Sequence, residues 1–378
     1  MAIIKSSPQF LVVALKQSLH VLAKNTGNFF TYTREYKSNI KENEQQLDSA
    51  AFSPNYKYFA ALYSDKTLVV WIVKNGDEGF EQHLVIDVCR RSTSIAFDID
   101  DRCLYVADKS GDLYAYDMEK ALISDEIEPV LGHVSMLLDV AVTEKYLITA
   151  DRDEKIRVSH KKMPYLIESF CLGHSEFICQ LCCLNEDLIL SLSGDGSAKL
   201  WDFKQGNVLQ DLVIVSKQEK TENDEKSNEY RFVPSLVAYN STLNLLAIAC
   251  NAASKIGMYK FADNALEKMY DIEIPDNGSL LSMSFDNSTA SLYLLNSCST
   301  NLNVLKYKCS SSSYALESAE DIISLNERIA QDSFTVKTYE QLFKPPMNGI
   351  KKYVDFYKKK HEGKLFCKPN PKKSKVTG

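Results

Sequence analysis

Gly173-His174-Ser175-Glu176-Phe177, followed by Ser193-Gly194-Asp195-Gly196-Ser197-Ala198-Lys199-Leu200-Trp201-Asp202, is the stretch that decides the fold. It holds an imidazole, a carboxylate, hydroxyls and an indole at fixed intervals among apolar strand residues. Grouped in a core, these four chemistries satisfy one another, and each polar group escapes an unpaired burial cost of ~1–3 kcal/mol. His174, Asp195 and Trp201 therefore read as a structural network rather than a catalytic dyad. A second copy sits just upstream, where Gly132-His133 precedes Asp153 and Ser159. There His133 and Asp153 take the same structural parts, and Ser159 in place of Trp leaves the network incomplete.

Working outward, the same unit recurs: apolar strand, Asp/Asn turn, apolar strand, short turn, apolar strand ending in an aromatic. Its third-strand endings fall at Trp71, Tyr116, Ser159, Trp201, Tyr259 and Tyr307, in steps of 45, 43, 42, 58 and 48 residues. That is the ~40–45-residue period of a four-stranded propeller blade. The turn residues agree: Ser53-Pro54-Asn55, Asp98-Ile99-Asp100-Asp101, Asn185-Glu186-Asp187 and Asn240-Ser241-Thr242 accept tight-turn backbones. Six landmarks give six blades. Strand-like runs at Phe10–Leu15, Leu19–Ala23 and Phe29–Arg34 supply a seventh. The expected architecture is an all-β, seven-bladed WD40 β-propeller over residues 1–343, followed by a basic C-terminal helix and tail over 344–378. The long 58-residue step is explained by the polar segment 217–229, KQEKTENDEKSNE, which has no apolar residue to bury and reads as a loop insertion.

Composition is that of an ordinary globular chain, 45% hydrophobic and 25% charged among 378 residues. No run approaches the roughly 20 apolar residues of a membrane-spanning helix, so no membrane association is expected. The start, with a short apolar run broken by Lys16, does not read as a signal peptide. The ten cysteines show no paired CxxC spacing and read as reduced, mostly buried thiols, with no metal site. Charge is asymmetric. From Lys344 onward eleven Lys face only Asp355 and Glu362, a balance of +9, which leaves −15 on the remainder of a chain whose net charge is −6. Contact with nucleic acid is then local, not global.

One turn is unusual: Ala150-Asp151-Arg152-Asp153-Glu154-Lys155-Ile156-Arg157-Val158-Ser159 stands where a repeat normally reaches Trp-Asp, and it alternates both signs of charge. On its own this fits solvated intra-blade ion pairs worth ~0–1 kcal/mol each. Together with Gly132-His133-Val134-Ser135-Met136-Leu137-Leu138-Asp139 before it and Ile167-Glu168-Ser169-Phe170-Cys171-Leu172-Gly173-His174 after it, the stretch resembles the WD-repeat non-catalytic subunit of tRNA (guanine-N7)-methyltransferase, the wuho family. Residues from Leu342 to Tyr353 are similar to that family's C-terminal region. The resemblance implies a propeller without cofactor that binds and stabilises a separate S-adenosylmethionine-dependent methyltransferase in a heterodimer. That partner forms N7-methylguanosine at position 46 of tRNA. The resemblance also implies that Arg157 meets an acidic group of the catalytic subunit, with Lys155 and Glu154 beside it. A guanidinium on a rigid strand can hold a carboxylate bidentately, as Lys cannot.

In the tail, Ile350, Tyr353, Val354 and Tyr357 recur at helical spacing. Lys351, Lys352, Lys358 and Lys359 fall largely off that stripe, and the basic tail reads in three ways, as a solvated tail, as an import signal or as a contact for tRNA phosphates. Pro371-Lys372-Lys373-Ser374-Lys375-Val376 resembles a nuclear-import signal, which places the protein in the nucleus and in part the cytoplasm. Catalysis by the chain itself is not expected: dinucleotide, Walker, nucleophile-elbow and H-E-x-x-H motifs are all missing. A generic adaptor is the alternative, such as a substrate receptor of a cullin-type ubiquitin ligase, since Trp201-Asp202-Phe203-Lys204 loosely resembles the Trp-Asp-x-Arg box.

Overall fold

A computed structural model describes residues 2–35, 46–75, 78–119, 127–215, 233–250, 254–275, 279–298, 301–309 and 313–330. Seven four-stranded antiparallel sheets follow one another along the chain, at residues 3–33, 47–87, 92–132, 137–171, 178–213, 234–273 and 279–317. These are blades 1 to 7. In every blade the first strand packs against the first strands of its neighbours around a common centre, and the fourth strand forms the outer edge. The six aromatic or serine landmarks all fall on third strands, as the period requires. Blade 1 holds one strand that the sequence reading passed over, Ile3–Ser6, too short to show a period. The tail helix expected at 348–361, its lysines Lys351, Lys352, Lys358 and Lys359, and the 217–229 insertion lie outside the described residues.

Second strands explain why the repeat reads as apolar runs. Tyr58–Tyr63, Tyr146–Asp151, Leu188–Ser193 and Leu245–Cys250 are buried at every position, because neighbouring blades cover both faces of each sheet. The core is accordingly divided. Seven apolar clusters are found among the described residues, one in each seam between adjacent blades. Polar stitches join the inner strands across those seams. Asp139 accepts from Ser94 Oγ of blade 3 (2.6 Å) and from the Leu181 amide of blade 5 (2.7 Å), and Gln180 Oε1 accepts from the Val237 amide of blade 6 (2.9 Å).

Ring closure uses no exchanged strand, since blades 1 and 7 are each built from one contiguous segment. Ile4 and Ser6 amides donate to Ser282 and Ser284 hydroxyls (3.2 and 3.0 Å), and Lys24 Nζ pairs with Asp286 at 2.6 Å. A helix that the sequence reading had absorbed into the propeller, α1 (Glu320–Ile329), then lies across the seam. Its Ile322, Leu325 and Ile329 join the cluster shared by blades 1 and 7. Asn326 both accepts from the Val304 amide (2.7 Å) and donates to the Val304 carbonyl (3.1 Å), which pins the helix to blade 7.

Cys179 and Cys182 do carry one CxxC spacing, and both pack against the apolar cluster between blades 5 and 6. Burial pushes the Cys182 thiol up to about 12, away from the thiolate that redox chemistry needs.

Candidate protein interface at the edge of blade 4

Blade 5 shows what a complete WD network looks like. His174 Nδ1 meets Asp195 Oδ2 at 2.8 Å and His174 Nε2 meets Ser191 Oγ at 2.7 Å, while the indole of fully buried Trp201 donates to the same Ser191 oxygen at 2.8 Å. Asp195 Oδ1 also accepts from the Ser197 amide and closes the turn. Burial by itself would raise the Asp195 carboxyl, but hydrogen bonds from His174 and Ser197 outweigh it and hold the group well below the usual carboxylate range.

Blade 4 departs from this pattern, and one assignment from sequence is corrected. His133 is bonded to Asp151 (Nδ1 to Oδ2, 3.0 Å) and to Thr149 Oγ1 (2.8 Å); Asp153 takes no part. The reason lies in the turn. Asp151 Oδ1 collects the amides of Asp153 (2.9 Å) and Lys155 (3.0 Å), leaving Oδ2 for the imidazole. Asp153 lies past the corner, exposed, near Arg152 at 3.8 Å. Asp108 in blade 3 collects Ser110 and Asp112 amides in the same way, with Gly111 at φ +100 three residues on. Glu154, at φ +58, occupies that glycine-like position. A non-glycine residue there costs on the order of 1 kcal/mol or more.

Where blade 5 has Trp201, blade 4 has Ser159, fully buried. Arg157 takes up the vacancy in hydrogen bonding. Its Nε donates to Ser159 Oγ (2.9 Å), Nη1 to the Gly132 carbonyl (3.1 Å) and Nη2 to the Pro164 carbonyl (2.9 Å). All three acceptors are neutral, and among the described residues Arg157 has no carboxylate within ion-pair distance. The guanidinium is thus aimed and immobilised with its charge uncompensated. Partial burial lowers its pKa somewhat, yet a guanidinium stays charged at neutral pH. Lys155 is exposed and, among the described residues, its Nζ donates to the Asp153 carbonyl (3.1 Å). Glu154 and Lys155 thus stand on the turn between strands two and three of blade 4, and Arg157 on the third strand just past it; among the described residues no hydrogen bond or ion pair joins the three side chains.

Sequence reading missed what surrounds them. The outer strand Met163–Cys171 pairs with the Arg157 strand, Phe170 standing opposite Arg157 and Ile167 opposite Ser159. It exposes Tyr165 (78%), Leu166, Ile167 and Phe170, followed directly by exposed Leu172 (60%). An exposed strand rich in large apolar residues beside a fixed cation has the composition of an interface rather than of a plain solvated surface. By contrast, the Trp201-Asp202-Phe203-Lys204 box is spent internally, since Trp201 and Phe203 are fully buried and Lys204 is paired with Asp187.

Comparison with known proteins bears on this geometry. Residues 117–312, which include all of blades 4 to 6, match the family model described as tRNA methyltransferase TRM82 WD40 domain. The Xenopus laevis tRNA (guanine-N(7)-)-methyltransferase non-catalytic subunit wdr4 is 40% identical over 216 residues, 56% of this chain and 52% of that protein. Its Homo sapiens counterpart is 32% identical over 254 residues, 66% and 59% of the two chains. The Aedes aegypti non-catalytic subunit wuho is 39% identical over 158 residues, 39% of each. This chain spans a little over half the length of the first two relatives. Among solved structures, a chain of the "Crystal Structure of Mitotic Checkpoint Complex" superposes with a TM-score of 0.62 at 12% identity, covering 79% of this chain and 87% of that one. That likeness speaks for the propeller alone. The matched span, the seven blades and the relatives agree: the chain belongs to the tRNA methyltransferase TRM82 WD40-domain family.

Proposed function

We propose that this chain is the non-catalytic subunit of a tRNA (guanine-N7)-methyltransferase. It holds the S-adenosylmethionine-dependent catalytic subunit, which forms N7-methylguanosine at position 46 of tRNA. The observation that carries the reading is Arg157: a guanidinium fixed by three neutral acceptors, lacking a carboxylate of its own, at the rim of an exposed apolar strand. The family's named members supply the kind of partner. In this arrangement an acidic side chain of the catalytic subunit completes Arg157, Lys155 and Glu154 flank the contact, and Tyr165, Ile167 and Phe170 bury the apolar centre. The import-like sequence Pro371–Val376 and the tail lysines fit a nuclear protein that also lends phosphate contacts.

The test is a direct titration of the recombinant catalytic subunit against wild-type, Arg157→Leu and Arg157→Lys chains. Removing one member of a desolvated pair costs ~2–5 kcal/mol, so Arg157→Leu weakens the complex by roughly 30-fold or more. Arg157→Lys keeps the charge but loses the fork, and falls between. Both substitutions also forfeit bonds within blade 4, so the melting temperature is measured beside the affinity. Unchanged affinity for a folded Arg157→Leu chain refutes the assignment.

A further inference from the structure

At the end of the ring opposite the Asp151–Lys155 turn, a cavity of about 180 Å³ opens between blades 1 and 2. Three stretches of chain build it. Ser7, Pro8 and Gln9 come from the turn between the first two strands of blade 1, and Asn55 and Tyr56 from the same turn of blade 2. Val73 and Asn75 come from the end of the third strand of blade 2 and the turn that follows it. The walls are fixed from both sides. Lys24 Nζ bonds Ser6 Oγ (2.7 Å), the Ser7 carbonyl and Asp286 (2.6 Å), which holds the blade 1 turn. Across the cavity the Asn55 amide donates to Asp101 Oδ1 (3.3 Å) and Asn55 Nδ2 to the Ile99 carbonyl (3.1 Å), both on blade 3.

Tyr56 is the unusual wall. Its backbone lies at φ +57, where the comparable turns of blades 3, 6 and 7 place the smaller Asp101, Asn244 and Ala290 at φ +60, +51 and +56. A bulky ring in the left-handed region is disfavoured, and such outliers gather at ligand sites. The ring stands edge-on to Phe52 at 5.9 Å, and Phe52 packs on Phe59 at 4.9 Å, so the core backs it. Burial raises the phenol above its ordinary value and Asp286 raises it further, which keeps the hydroxyl a donor at neutral pH. None of the seven lining side chains is charged at neutral pH. Among the described residues the side chains of Gln9, Tyr56 and Asn75 make no hydrogen bond, so three donors stand unspent around one apolar wall.

We propose that this cavity docks an uncharged, proline-rich segment of a partner protein in the polyproline II conformation. Such a segment has no internal hydrogen bonds, so its carbonyls are available, and its prolines carry no N–H to be stranded. The carbonyls accept from Gln9 Nε2, Asn75 Nδ2 and Tyr56 Oη, while the pyrrolidine rings pack on Tyr56, Pro8 and Val73, the aromatic-groove mode of proline recognition. The volume falls below the ~300–1,000 Å³ of drug-sized sites, which suits a short stretch of chain rather than a cofactor. The cavity and the turn that carries Glu154 and Lys155 lie at opposite ends of the ring. A protein seated here therefore leaves the blade 4 edge uncovered, and the proposal stands apart from the reading of that edge.

The experiment is a calorimetric titration of a proline decamer into the full chain, with a Gly-Ser decamer as control. Tyr56→Gly removes the ring and gives the left-handed position the residue that favours it, so the fold is kept. Gln9→Ala with Asn75→Ala, both outside the core, removes two donors and decides the matter should Tyr56→Gly melt early. Wild type shows saturable binding of the proline decamer, and each variant weakens it by roughly tenfold or more. Affinity of both variants for the catalytic subunit stays within about twofold of wild type, as a distant site requires. No binding of the proline decamer by the wild-type chain at about 1 mM overturns the proposal. Equal binding of the Gly-Ser decamer overturns it too, as does proline binding that folded variants retain in full.

Discussion

Asp195 is the most strongly tuned carboxylate of the WD network, and its energetics carry a sign that experiment can read. Hydrogen bonds from His174 and Ser197 hold it below its ordinary range despite burial. A folded pKa below the unfolded value of about 3.9 means the contribution is fully present above that value and is lost as pH falls toward the folded one. Asp195→Asn keeps the shape but not the charge, and should cost ~1.5–3 kcal/mol at pH 7. In urea titrations the gap between wild type and variant should narrow from about pH 5 downward; a gap that is constant or widens in acid contradicts the linkage. This network was legible from the Gly-His, Asp and Trp spacing because all four groups lie in one blade at the usual intervals. Its blade 4 counterpart was not. Asp151 and Asp153 are both turn carboxylates two residues apart, and only the backbone decides which one gathers the amides. The pattern Asp108-x-x-Gly111 one blade earlier was the usable hint, with Glu154 standing where that glycine turns the chain. Arg157 was legible only through family resemblance, since no spacing rule shows that its donors go to Ser159 and two carbonyls.

Strands and helix show a similar division. The period of third-strand landmarks was readable because burial on both faces forces apolar runs at regular intervals. The exposed apolar edge Met163–Cys171 was not, because a run of large apolar residues in a strand reads the same whether it is covered or bare. Helix α1 escaped for another reason. It is ten residues long, with apolar positions at Ile322, Leu325 and Ile329 and no side-chain cap at Ala319, and its stability comes from packing rather than from local signals. The element depends on one amide. Asn326 occupies both backbone groups of Val304, so Asn326→Ala leaves a buried N–H and C=O without partners, at about 1–3 kcal/mol each if water does not reach them. The expected result is a lower unfolding midpoint together with faster amide exchange at Val304 and along α1. A stability loss under about 0.5 kcal/mol would mean that apolar packing alone holds the helix.

A ring of blades is only as strong as its weakest seam, and the chain makes one seam different from the rest. Six seams are bridged by the chain running from an outer strand to the next inner strand; between blades 7 and 1 there is no such link and no exchanged strand. Closure falls instead to Ser282 and Ser284 accepting the Ile4 and Ser6 amides, to the Lys24–Asp286 pair, and to the cluster beneath α1. On the opposite side of the ring Asp139 stitches three blades by accepting from the Ser94 hydroxyl and the Leu181 amide, and that side presents the Arg157 edge. Local opening is therefore expected to start at the 7–1 seam and to leave the Arg157 edge intact. Ser282→Ala with Ser284→Ala strips two acceptors and should cost about 1–3 kcal/mol in total. Hydrogen exchange should quicken at Ile4, Ser6 and the inner strand Ser279–Asp286, while Val140 and Leu181 keep their protection. Equal acceleration around the whole ring would show that the blades open as a single unit. In that case the partner binding proposed for blade 4 would be coupled to closure three blades away, and saturating catalytic subunit at about 100-fold over Kd would protect Ile4 by the same ~2.7 kcal/mol it lends the rest of the chain.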